Sequence, residues 1–258
     1  MAFKAARNSS DVFTFGPIIH NPQVIEKLRQ QSVSPTDNID DDRIKTLIIR
    51  THGVPRKISL RLAGKGYDVV DATCPFVKKA QQYAKLLKED GYQVVIIGDR
   101  EHPEVLGLMS YAGDDALVVN KDEKLPKLKR RVGVIVQTTQ PVSVLKNFIS
   151  EALEQVEEIK VFNTICNSTS LRLKETKAMA KKADVMVVVG GKNSANTTQL
   201  ATLCASMGVP TYHIETSSEI KEEWFPGANN VGITAGASTP DWIIKEIQER
   251  IGVIGGNE

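Results

Sequence analysis

The stretch Val69-Val70-Asp71-Ala72-Thr73-Cys74-Pro75 decides how this chain reads. A β-branched apolar run ends in a thiol, and Pro follows where a helix accepts it, at its first position. Phe76 to Leu87 then has the apolar spacing of an amphipathic helix. The same grammar returns at Val161-Phe162-Asn163-Thr164-Ile165-Cys166, followed by polar Asn167 to Ser170 and a Lys-rich helix to Ala183. Two thiols therefore stand at equivalent strand-to-helix junctions.

Working outward, an apolar strand ending in Gly recurs three times, each with a polar residue four positions beyond the Gly. Phe13-Thr14-Phe15-Gly16 leads to His20, Val95-Ile96-Ile97-Gly98 to His102, and Val187-Val188-Val189-Gly190 to Ser194. Helices are predicted next, over Gln23 to Gln31, Glu104 to Ser110 and Thr198 to Met207. A third strand then runs into a polar loop closed by Pro, at Thr51 to Pro55, Gln137 to Pro141 and Ala235 to Pro240. Three copies of one αβ unit account for this order, with boundaries at 1–74, 75–165 and 166–258. In open α/β sheets the carboxyl-end loops carry the ligand site. Three such units around an axis would aim Cys74, Cys166, His20, His52, His102, Thr138, Ser194 and Ser238 into one central cavity.

Cys74 lies 24 positions before Gly98 (98 − 74), and Cys166 lies 24 before Gly190 (190 − 166). The matching thiol of the first copy projects to position −8 (16 − 24), upstream of Met1. The repeat thus predicts that the sequence opens inside a helix, with an N-terminal strand and a third thiol missing and the first unit's sheet incomplete. An atypical terminal repeat is the competing account.

Composition bounds the rest. Of 258 residues, 41% are apolar and 25% charged, with a net charge of +2, which fits a globular chain and leaves no basic footprint for nucleic acid. No apolar run approaches the roughly 20 residues of a membrane span. Three distant cysteines fit a reducing, cytoplasmic setting rather than a disulfide framework. A plastid location stays open if the start lies upstream. Asp40-Asp41-Asp42 reads as a solvated connection, and Ile251 to Glu258 as a frayed tail.

Each candidate has a plain reading beside the functional one. Cys74 and Cys166 could be small core residues, but equivalent placement favours a shared metal centre. Cys204, flanked by Leu203 and Ala205, breaks the repeat and reads as core, and His213 as structural. A lone loop His usually means little. His20, His52 and His102 at equivalent loops, with Ser194, Asn196 and Ser238, form a donor set for an anion such as a diphosphate. Gly190 to Thr197 opens a helix, whose N-terminus favours negative charge. Glu104 could be a first-turn acid, or the carboxylate proton donor of these loops. Thr138 could close its loop or bond a substrate hydroxyl.

Gly16-Pro17-Ile18-Ile19-His20-Asn21-Pro22, His52-Gly53-Val54, Asp71-Ala72-Thr73-Cys74-Pro75, His102-Pro103-Glu104-Val105, Gln137-Thr138-Thr139, Asn163-Thr164-Ile165-Cys166, Lys192 to Thr197 and Thr234 to Ser238 together resemble the 4-hydroxy-3-methylbut-2-enyl diphosphate reductases. These are iron-sulfur oxidoreductases of the non-mevalonate isoprenoid pathway. The resemblance runs from about Val12 to the helix after Pro240. It implies a trefoil of three αβ units around a [4Fe-4S] cluster and substrate cavity, with an iron left open to substrate. It also implies reductive dehydroxylation of an allylic diphosphate to isopentenyl and dimethylallyl diphosphates, with electrons from a ferredoxin or flavodoxin. By resemblance Cys74 and Cys166 are cluster ligands. His20, His52, His102, Ser194, Asn196 and Ser238 hold the diphosphate, and Glu104 and Thr138 are catalytic. Ala195 stands where many members carry a second Ser. The family's first cluster Cys has no counterpart in this chain, so a weakly held cluster and impaired turnover are expected. A non-catalytic diphosphate-binding remnant remains an alternative. A mononuclear hydrolase ranks last, because no HxH or HExxH spacing occurs.

Overall fold

Runs of apolar, β-branched residues without alternation mark strands buried on both faces, as in parallel sheets covered by helices. A computed structural model, which describes residues 11–19, 21–121 and 123–255, has this architecture. Val94 to Ile97, Val132, Val134 to Val136 and Met186 to Val189 are all within about one percent of full burial.

The first sheet holds β1 (Val12–Phe15), β2 (Val33–Thr36), β3 (Thr46–Ile49) and β4 (Asp68–Asp71), in the order β2-β1-β3-β4. The second holds β5 (Gln93–Ile97), β6 (Leu117–Val119), β7 (Arg131–Val136) and β8 (Glu158–Val161), in the order β6-β5-β7-β8. The third holds β9 (Val185–Val189), β10 (Thr211–Ile214) and β11 (Val231–Ala235), in the order β10-β9-β11. All pairings are parallel. The identical order bears out the α/β class and the threefold repeat. In each sheet the order reverses between the first strand and the third in chain order, β1 and β3, β5 and β7, β9 and β11, and the carboxyl end of such a reversal is where open α/β sheets place ligands.

The expected incomplete sheet is corrected. The first sheet has its four strands; among the described residues it is the third that has three. The reason is that the strand leading into each thiol pairs with the sheet before it: β4 pairs with β3, and β8 with β7. The helix expected at the opening of the sequence falls on residues 1–10, which lie outside those described, and nothing there tests it.

The helices are α1 (Pro22–Arg29), α2 (Arg56–Ala63), α3 (Pro75–Glu89), α4 (Pro103–Ala112), α5 (Val142–Ala152), α6 (Asn167–Ala180), α7 (Ala195–Ser206) and α8 (Asp241–Gly255). Pro22, Pro75 and Pro103 occupy first-turn positions, where their missing N–H and fixed φ cost nothing. α7 starts three residues earlier than its apolar pattern suggests, because Ser194 caps it by accepting the Thr197 N–H at 3.4 Å. Nor is the tail frayed as far as Gly255: α8 continues through it, and Ile251 and Ile254 pack against the Ile243 and Ile247 cluster.

Two compact units result. One comprises 11–18 and 31–166 and contains the first two sheets; the other comprises 19, 21–30 and 167–255 and contains the third. α1 belongs to the second unit, where the Gln23 amide bonds the Glu215 carbonyl and Lys27 lies over the Trp242 ring.

Candidate active site

Both thiols sit at the turns the repeat predicts, and the turns are built alike. Asp71 Oδ1 accepts the N–H of Thr73 at 2.9 Å, and Asn163 Oδ1 accepts that of Ile165 at 3.2 Å. An Asx turn therefore precedes each Cys, three residues after its Asp or Asn. Each Cys N–H then bonds the loop of the neighbouring strand: Cys74 to the Thr51 carbonyl and Cys166 to the Thr138 carbonyl, both at 2.9 Å. Both thiols are free and half-buried. Thr164 adds a brace, since its hydroxyl accepts the Val136 N–H at 2.8 Å and bonds the Val136 carbonyl. Sulfur donors at two helix starts suit an iron-sulfur cluster, but they are only part of a ligand set. Among the described residues no three His, Cys, Asp or Glu side chains are grouped to hold a metal ion.

The second sheet carries Glu104 and Thr138 in the segments after β5 and β7. Glu104 lies in the first turn of α4, after β5, and is 1% exposed. Thr138 follows β7 across the central crevice. Its N–H donates to Glu104 Oε1 at 2.7 Å and its hydroxyl to Oε2 at 2.8 Å. Burial pushes the Glu104 carboxyl up from 4.5 to about 7, and the two Thr138 bonds oppose but do not cancel that push. A carboxyl so poised can hold a proton at neutral pH and release it.

His102 caps α4: its Nδ1 accepts the Glu104 N–H at 3.2 Å, which leaves the ring proton on Nε2 as a donor. The His52 and His102 rings meet edge to face, with centroids 5.3 Å apart. His20 lies outside the described residues.

In the unit of the third sheet, Ser194, Asn196 and Ser238 flank the ends of β9 and β11. Ser194 and Asn196 are 7% and 6% exposed. Both polar side-chain atoms of Asn196, the Ser238 hydroxyl and the Thr197 hydroxyl are buried without a hydrogen-bond partner among the described residues. Leaving such groups unsatisfied costs about 1–3 kcal/mol each, a cost that a polar ligand would offset. The cradle is closely fitted around glycine, since a Cβ on Gly236 would lie 2.0 Å from Thr197 Oγ1. With the helix N-terminus beside them, amide and hydroxyl donors suit an anion.

The remaining candidates have structural roles. Cys204 is fully buried in the core of α7. His213 is structural, its Nε2 bonded to the Gly190 carbonyl at 2.9 Å. Asp40 and Asp41 pair with Arg61, Lys65 and Arg43 at the surface rather than forming a metal site. Sequence reasoning missed Asp71 and Asn163 as turn formers, although their shared spacing from Cys was a visible signal. It also missed Gln137.

The LytB protein family model matches residues 1–252 of this chain. The chain is similar to 4-hydroxy-3-methylbut-2-enyl diphosphate reductase of Pelobacter propionicus, 50% identical over 256 residues that cover 98% of this chain and 91% of that one. Against the reductase of the same name from Geobacter sulfurreducens, identity is 49% over 254 residues, covering 97% and 90%. A solved structure of (E)-4-hydroxy-3-methyl-but-2-enyl diphosphate reductase, the terminal enzyme of the non-mevalonate pathway, is 42% identical, with a TM-score of 0.73 and coverage of 98% and 93%. The E-1-hydroxy-2-methyl-but-2-enyl-4-diphosphate reductase of Plasmodium falciparum, 22% identical, shares the fold, with a TM-score of 0.85 and coverage of 98% and 82%. With its repeat, its paired thiol turns and these relatives, the chain belongs to the LytB protein family.

Proposed function

We propose that this chain reduces 4-hydroxy-3-methylbut-2-enyl diphosphate to isopentenyl and dimethylallyl diphosphates, in isoprenoid biosynthesis. The observation that carries this reading is Glu104, buried, pushed up to about 7 and held through both carboxyl oxygens by Thr138. The reaction breaks an allylic C–O bond, consumes two electrons and two protons, and releases water. The hydroxyl is a poor leaving group until protonated. Glu104 supplies that proton at the oxygen, and Thr138 bonds the same hydroxyl or relays the proton. Ser194, Asn196 and Ser238, with His20, His52 and His102, hold the diphosphate and orient the allylic end. A [4Fe-4S] cluster held in part by Cys74 and Cys166 would supply the electrons, passed on from a ferredoxin or flavodoxin.

The test compares steady-state rates of two variants with the unchanged chain. Glu104→Gln cannot donate a proton and should lower kcat by about a hundredfold or more with KM near unchanged, whereas Asn196→Ala should chiefly raise KM. Full kcat in Glu104→Gln would refute the assignment of the acid.

A further inference from the structure

Gln137 is 1% exposed, and its amide has partners in two loops. Its Oε1 accepts the Asp99 N–H at 2.9 Å and a longer bond, 3.4 Å, from Gln140 Nε2. Its Nε2 donates to Thr139 Oγ1 at 3.0 Å. The backbone continues the tie, with Gln137 N–H donating to the Ile97 carbonyl at 2.8 Å. Asp99 in turn organises the approach to the acid: its carbonyl accepts the His102 N–H at 3.0 Å and its Oδ1 the Glu101 N–H at 3.1 Å. The contact is also close in a way that excludes a side chain. A Cβ on Gly98 would lie 2.8 Å from Gln137 Oε1 and 2.9 Å from both Gln137 Cβ and Val105 Cγ2. The residue after Gln137 is Thr138, and the residues after Asp99 lead through His102 to Glu104.

We infer that Gln137 is a positioning residue: its buried side-chain amide locks the loop after β5 to the loop after β7 and so holds Thr138 against Glu104. The Gln137 side-chain amide hydrogen-bonds Asp99, Thr139 and Gln140 rather than Glu104 or the Thr138 hydroxyl, so it acts through the backbone on either side of them. A glutamine that only filled space in the core would need no partner on Asp99, and a staple broken at its amide should loosen the two loops and leave the strands behind them intact. The consequence for turnover rests on the reading of Glu104 as the proton donor, but the staple itself does not.

The experiment uses the full chain and Gln137→Met, which keeps the side-chain length and removes the amide. Amide hydrogen exchange is measured at Asp99, Thr138 and the interior of β5 and β7, with Ile135→Val as a core variant that leaves the staple alone. The staple predicts that Asp99 and Thr138 exchange at least about tenfold faster in Gln137→Met while Ile96 and Ile135 keep their protection, and that Ile135→Val does not reproduce this pattern. Unchanged exchange at Thr138, or faster exchange spread evenly over β5 and β7, would overturn it. Kinetics separate the two claims. A fall in kcat of about tenfold with KM within about twofold supports both the staple and the acid. Local loosening with unchanged kcat keeps the staple and removes Glu104 from the chemistry.

Discussion

Replacing Glu104 by Gln should make the protein more stable, and only above a certain pH. The carboxyl is 1% exposed, and burial raises it from 4.5 to about 7. Between those values the folded chain holds a proton that the unfolded chain has lost, so stability falls as pH rises through the window. Below pH 4.5 nothing is lost. Above pH 7 the full penalty is present, roughly 3 kcal/mol for a carboxyl raised from 4.5 to about 7. A glutamine in this place has the same shape and no charge; its carbonyl can accept the Thr138 N–H, and its amide can donate to the Thr138 hydroxyl. Urea unfolding of the two chains from pH 4 to pH 8 should therefore give similar free energies at the acid end, with the variant more stable by about 1–3 kcal/mol at the alkaline end. A difference that stays flat across this range would show that the carboxyl is ordinary, and the reading of the acid would go with it.

Asn196→Leu removes a buried amide that has no partner among the described residues, so the ligand-free chain should melt no lower than before while inorganic diphosphate binds at least about tenfold more weakly by calorimetry. Gly236→Ala drives a Cβ into Thr197 Oγ1 and should cost about 1–3 kcal/mol; adding Thr197→Ala should recover much of it, a coupling that thermal melts of the single and double variants will measure. Cys204→Ser should lower stability by about 1–2 kcal/mol without changing bound iron, whereas Cys74→Ser should lower bound iron after anaerobic reconstitution with little change in melting. Because the acid must be protonated to act, kcat should decline as pH rises through about 7, and a kcat that climbs steadily to pH 9 would contradict that role.

The sequence exposed most of the architecture because the repeat supplied three readings of each element. A single Val-rich run is ambiguous between strand and helix; three runs with the same Gly, the same four-residue gap and the same closing Pro are not. The edge strands β2 and β6 were illegible, since Val33–Thr36 contains Pro35 and Leu117–Val119 spans three residues, too little for a period. The sheet assignment of β4 and β8 was also hidden, because pairing with the preceding rather than the following sheet leaves no mark in a local pattern. At the site, residue identities were readable and their energetics were not. Nothing in His102-Pro103-Glu104 says that the carboxyl is buried with both oxygens on Thr138, since that depends on where the loop after β7 comes to rest. Gln137 shows the same limit from the other side, a residue quoted in a motif but given no role, whose amide joins two loops 38 positions apart in the chain.

The central claim is that this chain performs the reductive step, and one measurement addresses it directly. The chain is reconstituted anaerobically with iron and sulfide and supplied with a chemical one-electron reductant and 4-hydroxy-3-methylbut-2-enyl diphosphate, and the diphosphate products are resolved by mass spectrometry. Appearance of isopentenyl and dimethylallyl diphosphates at many turnovers per protein is the predicted result. Saturable binding of the substrate with no product above the level of Glu104→Gln would contradict it and leave a diphosphate-binding protein without the reaction.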